Sequence, residues 1–207
     1  MNKKIDYYIT LLVGFITGVF MIPTAFNLGL KEKFLLMLIP LVAPIVWIIG
    51  MWIANFTSRW IAAMNQFSKF LVIGFMNTAL DFGILNLLSS ASGVTTGLKV
   101  GEINIPGFTV AIINSYFWNK LWVFGNNKEK GSFFGQVPKF AIITTIGLIL
   151  NSGIIILLTT FFPPPVFIRE HTWLNISKAL ATVFTLFWNF FGYRLVVFKK
   201  EQDNLKN

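Results

Sequence analysis

Six long apolar runs, at roughly 8–26, 34–55, 70–88, 105–124, 140–162 and 174–198, take up most of the 207 residues. A helix needs about 20 apolar residues to cross a hydrocarbon core ~30 Å thick. Each run is therefore long enough for one crossing. The joints carry charges and helix breakers: Lys31-Glu32-Lys33, Thr57-Ser58-Arg59, residues 89–107, residues 125–138, and Pro163-Pro164-Pro165. Little chain is left for a soluble domain. Composition agrees, with 55% apolar and 12% charged residues, against about 45–50% and about 25% in ordinary soluble domains. The pattern predicts an all-α integral membrane protein with six transmembrane helices. It excludes a water-soluble enzyme and a disordered binding segment.

The chain has 17 Lys+Arg against 8 Asp+Glu, a net charge of +9. In a soluble protein that excess would point to nucleic acid. Here the cations sit mainly between apolar runs, so they report topology and no nucleic-acid partner is expected. With a cytoplasmic N-terminus, Lys31, Lys33, Lys99, Arg169 and Lys178 fall outside and the other Lys and Arg residues inside. The positive-inside rule then predicts a multi-pass protein of the cytoplasmic membrane with both termini cytoplasmic. Lys3 and Lys4 precede the first run as in a signal peptide. That run is too long for one, and no small-residue cleavage site follows, so a retained helix is expected.

Chemistry is limited by what is missing. There is no cysteine and one histidine. Disulfides, thiolate catalysis and a His-based metal site are excluded. No Walker loop, zincin motif or catalytically spaced carboxylate pair occurs, so no enzyme, ATP-driven pump, cofactor or metal is expected.

The last four runs read as a repeat, which constrains architecture. Phe70-Leu-Val-Ile-Gly74, Asp81-Phe-Gly83 and Leu87-Leu88 recur 70 positions later as Phe140-Ala-Ile-Ile-Thr144, Asn151-Ser-Gly153 and Leu157-Leu158. The helices that follow also end alike, in Lys120-Leu-Trp-Val-Phe124 and Arg194-Leu-Val-Val-Phe198. The expected core is four helices made of two tandem two-helix repeats, related by an axis along the membrane normal. Residues 1–60 form an added N-terminal hairpin, 66–200 the core, and 201–207 a cytoplasmic tail.

These residues carry a family resemblance. Phe70-x-x-x-Gly74, Asp81-Phe-Gly83, Asn86-Leu-Leu and Asn114-Ser-Tyr-Phe-Trp-Asn-Lys-Leu-Trp-Val-Phe124, with Asn189-Phe-x-x-x-Arg194-x-x-Val-Phe198, resemble the GtrA family. That family is also similar to the membrane domain attached to some dolichol-phosphate mannose synthases. The resemblance implies a small membrane protein of cell-surface polysaccharide synthesis or glycosylation. Its implied activity is movement of a polyprenyl-phosphate-linked monosaccharide across the membrane. Two departures stand out: the extra hairpin, and Tyr193 and Val196 where Asn119 and Trp122 would lead one to expect Asn and Trp.

The candidate site residues are polar groups inside apolar runs. Asp81 lies 11 residues past Phe70, roughly 16 Å along a helix at ~1.5 Å per residue. A carboxylate at that depth is costly and marks function by default. It could bind a sugar hydroxyl, carry a proton or pair with a cation; as a structural group it would be protonated and bond Asn151 or a tyrosine. Gly74, Asn77 and Thr78 are expected to share its inward stripe, with Thr144, Gly147 and Asn151 as the matching stripe. Lys120 and Arg194 sit about 6 Å inside Phe124 and Phe198. They would clamp a lipid phosphate or, as ordinary anchors, snorkel to the interface. Asn114 and Asn119 lie nearby. Trp118 and its aromatic neighbours would stack on a sugar or form an interfacial belt. Asn189 with Thr185 and Thr182 gives the last helix a polar face suited to substrate or helix packing. Gly14-x-x-x-Gly18 is a close-packing motif, and Arg169-Glu170-His171 is expected in a solvated loop.

The expected partners are a polyprenyl-phosphate sugar lipid, membrane lipids, a membrane glycosyltransferase and a second copy of the chain. The alternative function is a non-transporting scaffold that recruits or assists a glycosyltransferase.

Overall fold

A computed structural model describes residues 3–58, 64–123 and 137–192. All regular structure among these residues is helical: α1 (Lys3–Asn27), α2 (Lys33–Thr57), α3 (Met64–Ser92), α4 (Leu98–Trp118), a π-helical turn (Asn119–Val123), α5 (Val137–Phe161) and α6 (Glu170–Gly192). Three short loops, 28–32, 93–97 and 162–169, join α1 to α2, α3 to α4 and α5 to α6. Short loops make antiparallel neighbours. The helices therefore have a near end, where α1, α3 and α5 begin, and a far end, which holds these loops.

Four helical stretches, Lys4–Asn27, Lys33–Thr57, Ser68–Ser92 and Pro138–Phe161, are long and apolar enough to cross a membrane. The chain is an all-α, multi-pass membrane protein. The helices α4 and α6 are comparably long but more polar, carrying Lys99, Glu102 and Asn104, and Glu170, Asn175, Ser177 and Lys178. Of these, Asn104, Asn175, Ser177 and Lys178 are buried and help build the interior.

Burial is distributed as a lipid solvent requires. Large apolar side chains such as Met37, Leu41, Ile45 and Trp52 on α2 face outward, while Asn86, Asn104, Asn151 and Lys178 are fully buried. Lipid tails satisfy apolar groups, and polar groups must find partners inside.

Close packing begins at the expected glycines. Gly14 lies against Pro44 and Gly18 against Pro40, so the backbones of α1 and α2 touch without intervening side chains. On its other side α1 meets α3, with the Phe20 backbone directly over Gly83. The expected third joint, 89–107, is too long. The loop is 93–97, and Pro106 lies within α4. The positive φ of Gly93 and Gly97 lets so short a connection reverse the chain. A proline inside a membrane helix is tolerated when neighbouring helices satisfy the freed backbone groups.

Candidate functional site

One polar residue from each of α3, α4, α5 and α6 meets at the centre of the bundle. Lys178 of α6 is 0% exposed. Its ammonium contacts Asp81 Oδ2 of α3 at 2.6 Å. It also donates to Asn104 Oδ1 of α4 at 2.6 Å and Asn151 Oδ1 of α5 at 3.0 Å. A lysine has three N–H donors, so this set saturates it. Asn104 Nδ2 donates to Asn151 Oδ1 and to Ser152 Oγ, both at 3.0 Å. Asn151 Nδ2 donates to Thr185 Oγ1 at 3.2 Å. The phenyl rings of Phe82 and Phe108 stand 5.9 and 5.7 Å from the ammonium, which adds cation–π attraction.

Local sequence explains the approach. Gly107 of α4 faces Asp81, where a Cβ would come within 2.6 Å of the Asp81 carbonyl oxygen. Only a residue without a side chain lets α4 lie this close to α3. Asp81 Oδ1 is buried above it and accepts no hydrogen bond among the described residues.

The polar file continues toward both ends. On the near side Asn114 Nδ2 donates to Asn77 Oδ1 at 2.7 Å. Thr185 and Thr182 continue it on α6, each bonding its own preceding turn. Asn189 follows them, and its buried Oδ1 faces Gly147 without a partner among the described residues. On the far side Asn86 and Asn175 exchange two amide hydrogen bonds of 2.7 Å. Asn27 of α1 adds a 2.9 Å bond to Asn86, and Ser90 bonds Asn27. A second ion pair closes the near end: Asp6 of α1 bonds Lys69 of α3 at 2.8 Å and Trp122 Nε1 at 2.9 Å.

Several expectations need correction. Asp81 does pair with a cation, Lys178, which is one of the roles open to it, but Asn151 bonds that lysine rather than the acid. Lys178 is not an outer interfacial cation. It sits eight residues into α6, past the polar opening turns that hide it from a hydropathy reading. Lys69 likewise is buried against Asp6. Gly74 and Thr78 face outward, Thr78 bonding its own Gly74 carbonyl at 3.0 Å. They are four residues apart and form their own stripe beside that of Asn77 and Asp81. Thr144, Gly147 and Asn151 do turn inward. Glu170 and His171 open α6 rather than a solvated loop. Glu170 accepts from Thr95 at 2.9 Å, and His171 Nδ1 lies 3.3 Å from Ser89 Oγ.

Of the other expected site residues, Trp118 is half-buried and packs edge-to-face with Trp122. Asn119 and Lys120 belong to the π-helical turn, and their side chains are not described. Arg194 lies outside the described residues, as does the 201–207 tail. The structure thus brings together Asp81 and Asn151, with Asn114 and Asn189 along the same seam. Two members of the centre escaped the sequence reading, Asn104 and Lys178. The offset of 74 positions from Lys120 to Arg194 also separates these two, and would have found them.

An apolar groove of about 310 Å³ runs along the outer face of α5 and α6, lined by Leu150, Gly153, Leu157, Leu180 and Phe184 among others. It lies beside the level of Asn151.

The sequence matches the transmembrane-domain family described as GtrA/DPMS over residues 69–198. The chain belongs to that family. It is 32% identical over 145 residues to an uncharacterised membrane protein, YngA, of Bacillus subtilis (strain 168), covering 70% of this chain and 84% of that one. It is also 28% identical over 93 residues to a dolichol-phosphate mannosyltransferase of Pyrococcus furiosus, covering 45% of this chain and 25% of the enzyme. No solved structure matches. The family is that of a transmembrane domain, and no group of three His, Asp or Glu suited to a metal occurs among the described residues. The chain is a GtrA-like membrane protein.

Proposed function

We propose that this protein moves a polyprenyl-phosphate-linked monosaccharide across the cytoplasmic membrane for surface polysaccharide synthesis or glycosylation. The observation that carries the reading is the buried polar file between the α3/α4 and α5/α6 hairpins. It gives a charged, hydroxylated head group a sequence of hydrogen-bonding stations inside a shell that is otherwise apolar. The lipid tail stays outside, where the α5/α6 groove offers an apolar bed.

In this reading all six helices cross the membrane, and both termini are cytoplasmic. Removing the buried Lys69 and Lys178 from the charge count leaves the bias in the same direction. Residues 1–60 are an added hairpin on a core at 66–200 of two tandem repeats. Two sets of contacts support the repeat. Shifts of 70 on the first helix and 74 on the second carry the Asp81–Lys178 pair onto Asn151–Asn104, itself a hydrogen-bonded pair. The same shifts carry Asn86–Asn175 onto Ile156–Gly101, which also pack together.

Lys120 and Arg194 receive the phosphate at the cytoplasmic mouth. Asp81, Asn114, Asn151 and Asn189 meet the sugar along the seam, with Asn119 and Trp118 at its entrance. The test is reconstitution with undecaprenyl-phosphate glucose and a periodate or enzymatic assay of sidedness. Outward exposure of the sugar at a rate cut at least about tenfold by Lys120→Ala/Arg194→Ala supports the reading. No exposure above empty vesicles, with a glycosyltransferase co-purifying at fixed stoichiometry, overturns it in favour of a scaffold.

A further inference from the structure

The bundle centre pairs a saturated cation with a half-used anion. All three donors of Lys178 are occupied, whereas Asp81 Oδ1 is buried without a partner among the described residues. The corresponding Asn104–Asn151 contact joins α4 and α5 by an amide hydrogen bond, and Lys178 donates to the oxygens of both amides. What an ion pair adds is exchange, because a second anion can take the place of the carboxylate on the same ammonium. The pair also spans the seam, Asp81 belonging to the α3/α4 hairpin and Lys178 to α5/α6. Any separation of the hairpins must part them.

Charge balance limits how the exchange can run. The pair is neutral when both groups are ionised. A phosphodiester monoanion added beside an ionised Asp81 would leave a net negative charge in a desolvated site. A proton taken by Asp81 from the aqueous mouth keeps the site neutral while Lys178 turns to the phosphate.

We propose that Lys178 is a mid-membrane anion site, at which the phosphodiester of the lipid head group replaces the Asp81 carboxylate and Asp81 binds one proton per phosphodiester. This rests on the flipping reading above. No bond is made or broken beyond that proton transfer.

Other titratable groups stand away from Asp81. Asp6 and Lys69 pair with each other about 18 Å along α3. Lys99 and Glu102 of α4 and Lys139 of α5 are exposed. Glu170 and His171 of α6 lie seven to eight residues from Lys178 and engage Thr95 and Ser89.

The experiment measures binding of citronellyl-phosphoglucose, a short-chain monoanionic phosphodiester, to the full chain in phosphatidylcholine nanodiscs across a pH series. Octyl glucoside serves as the phosphate-free control. Wild-type affinity should fall about tenfold per pH unit, the slope of one linked proton. Asp81→Asn, which keeps Lys178 and presents a neutral side chain, should bind at least as tightly with no slope. Asp81→Asn/Lys178→Gln has no buried charge to leave unpaired. It should keep its melting temperature and lose binding to the level of octyl glucoside. An unchanged slope in Asp81→Asn, undiminished affinity in the double variant, or no wild-type binding overturns the proposal. Flux in parallel vesicles judges the flipping reading separately. Flux with a slope indifferent to Asp81 sinks only the anion site, and proton-linked binding without flux sinks only the flipping.

Discussion

Asp6 and Lys69, 63 positions apart in sequence, form a 2.8 Å ion pair that ties the first helix to the third with both side chains almost fully buried. Trp122 Nε1 bonds the same carboxylate. The pair therefore joins α1, α3 and the π-helical turn that carries Lys120. Together with Phe20 against Gly83 and Asn27 against Asn86, it makes α1 part of the core packing along much of α3.

Removing one partner of this pair should cost far more than removing both. Asp6→Ala leaves a buried ammonium uncompensated, for which about 3–5 kcal/mol of stability is expected to be lost. Asp6→Leu/Lys69→Met replaces the pair by apolar groups and should stay within about 1–2 kcal/mol of wild type, part of that being the bond from Trp122. Equilibrium unfolding in mixed micelles across a denaturing-detergent series measures both. Equal losses in the two variants would contradict the burial.

Gly107 and Gly74 should answer differently to the same change. At Gly107 a methyl group would meet the Asp81 carbonyl oxygen at 2.6 Å, while at Gly74 nothing lies within 4 Å. Gly107→Ala must push α4 off α3 and is expected to cost roughly 1–3 kcal/mol, as overpacking does. Gly74→Ala should be neutral or slightly stabilising, because Ala favours helix over Gly. The same unfolding assay compares them.

The α1–α2 contact rests on Gly14 and Gly18 meeting Pro44 and Pro40. Gly18→Leu has no room there and should detach α2 from α1. A cysteine pair introduced at exposed positions of the two helices would cross-link in wild type and lose most of its yield in Gly18→Leu. Undiminished cross-linking would show that the proline face adapts.

The sequence made the helices and their order legible because lipid enforces a single length scale on apolar runs. It made Asp81, Asn151, Thr185 and the α1 glycines legible because inward residues of a membrane helix stand out against an apolar background. Lys178 was hidden by the same background. The first turns of α6 are polar, so a cation among them resembles an interfacial anchor, and only its partner on another helix reveals that it is inside. Asn104 is hidden in the joint expected at 89–107, where α4 already begins at Leu98. The direction of Gly74 and Thr78 depends on about one residue of helical phase, finer than the spacing of one polar stripe resolves.

At the far end, Asn86 and Asn175 offer the cleanest measure of what an interhelical amide pair contributes here. Their two 2.7 Å hydrogen bonds are reciprocal, and both side chains are buried. Hydrogen bonds between membrane helices average about 0.6 kcal/mol in double-mutant cycles, with a maximum near 1.7 kcal/mol. A cycle of Asn86→Ala, Asn175→Ala and the double variant should give a coupling near the upper value, since two bonds are lost together. Asn86→Ala should be the more damaging single change, because it also removes the Oδ1 acceptor of Asn27, whose amide then keeps only the Asn86 backbone carbonyl at 3.1 Å. A coupling indistinguishable from zero would mean that each amide finds another partner when its mate is removed, and that the pair fills space at the far end of the seam without fastening α6 to α3.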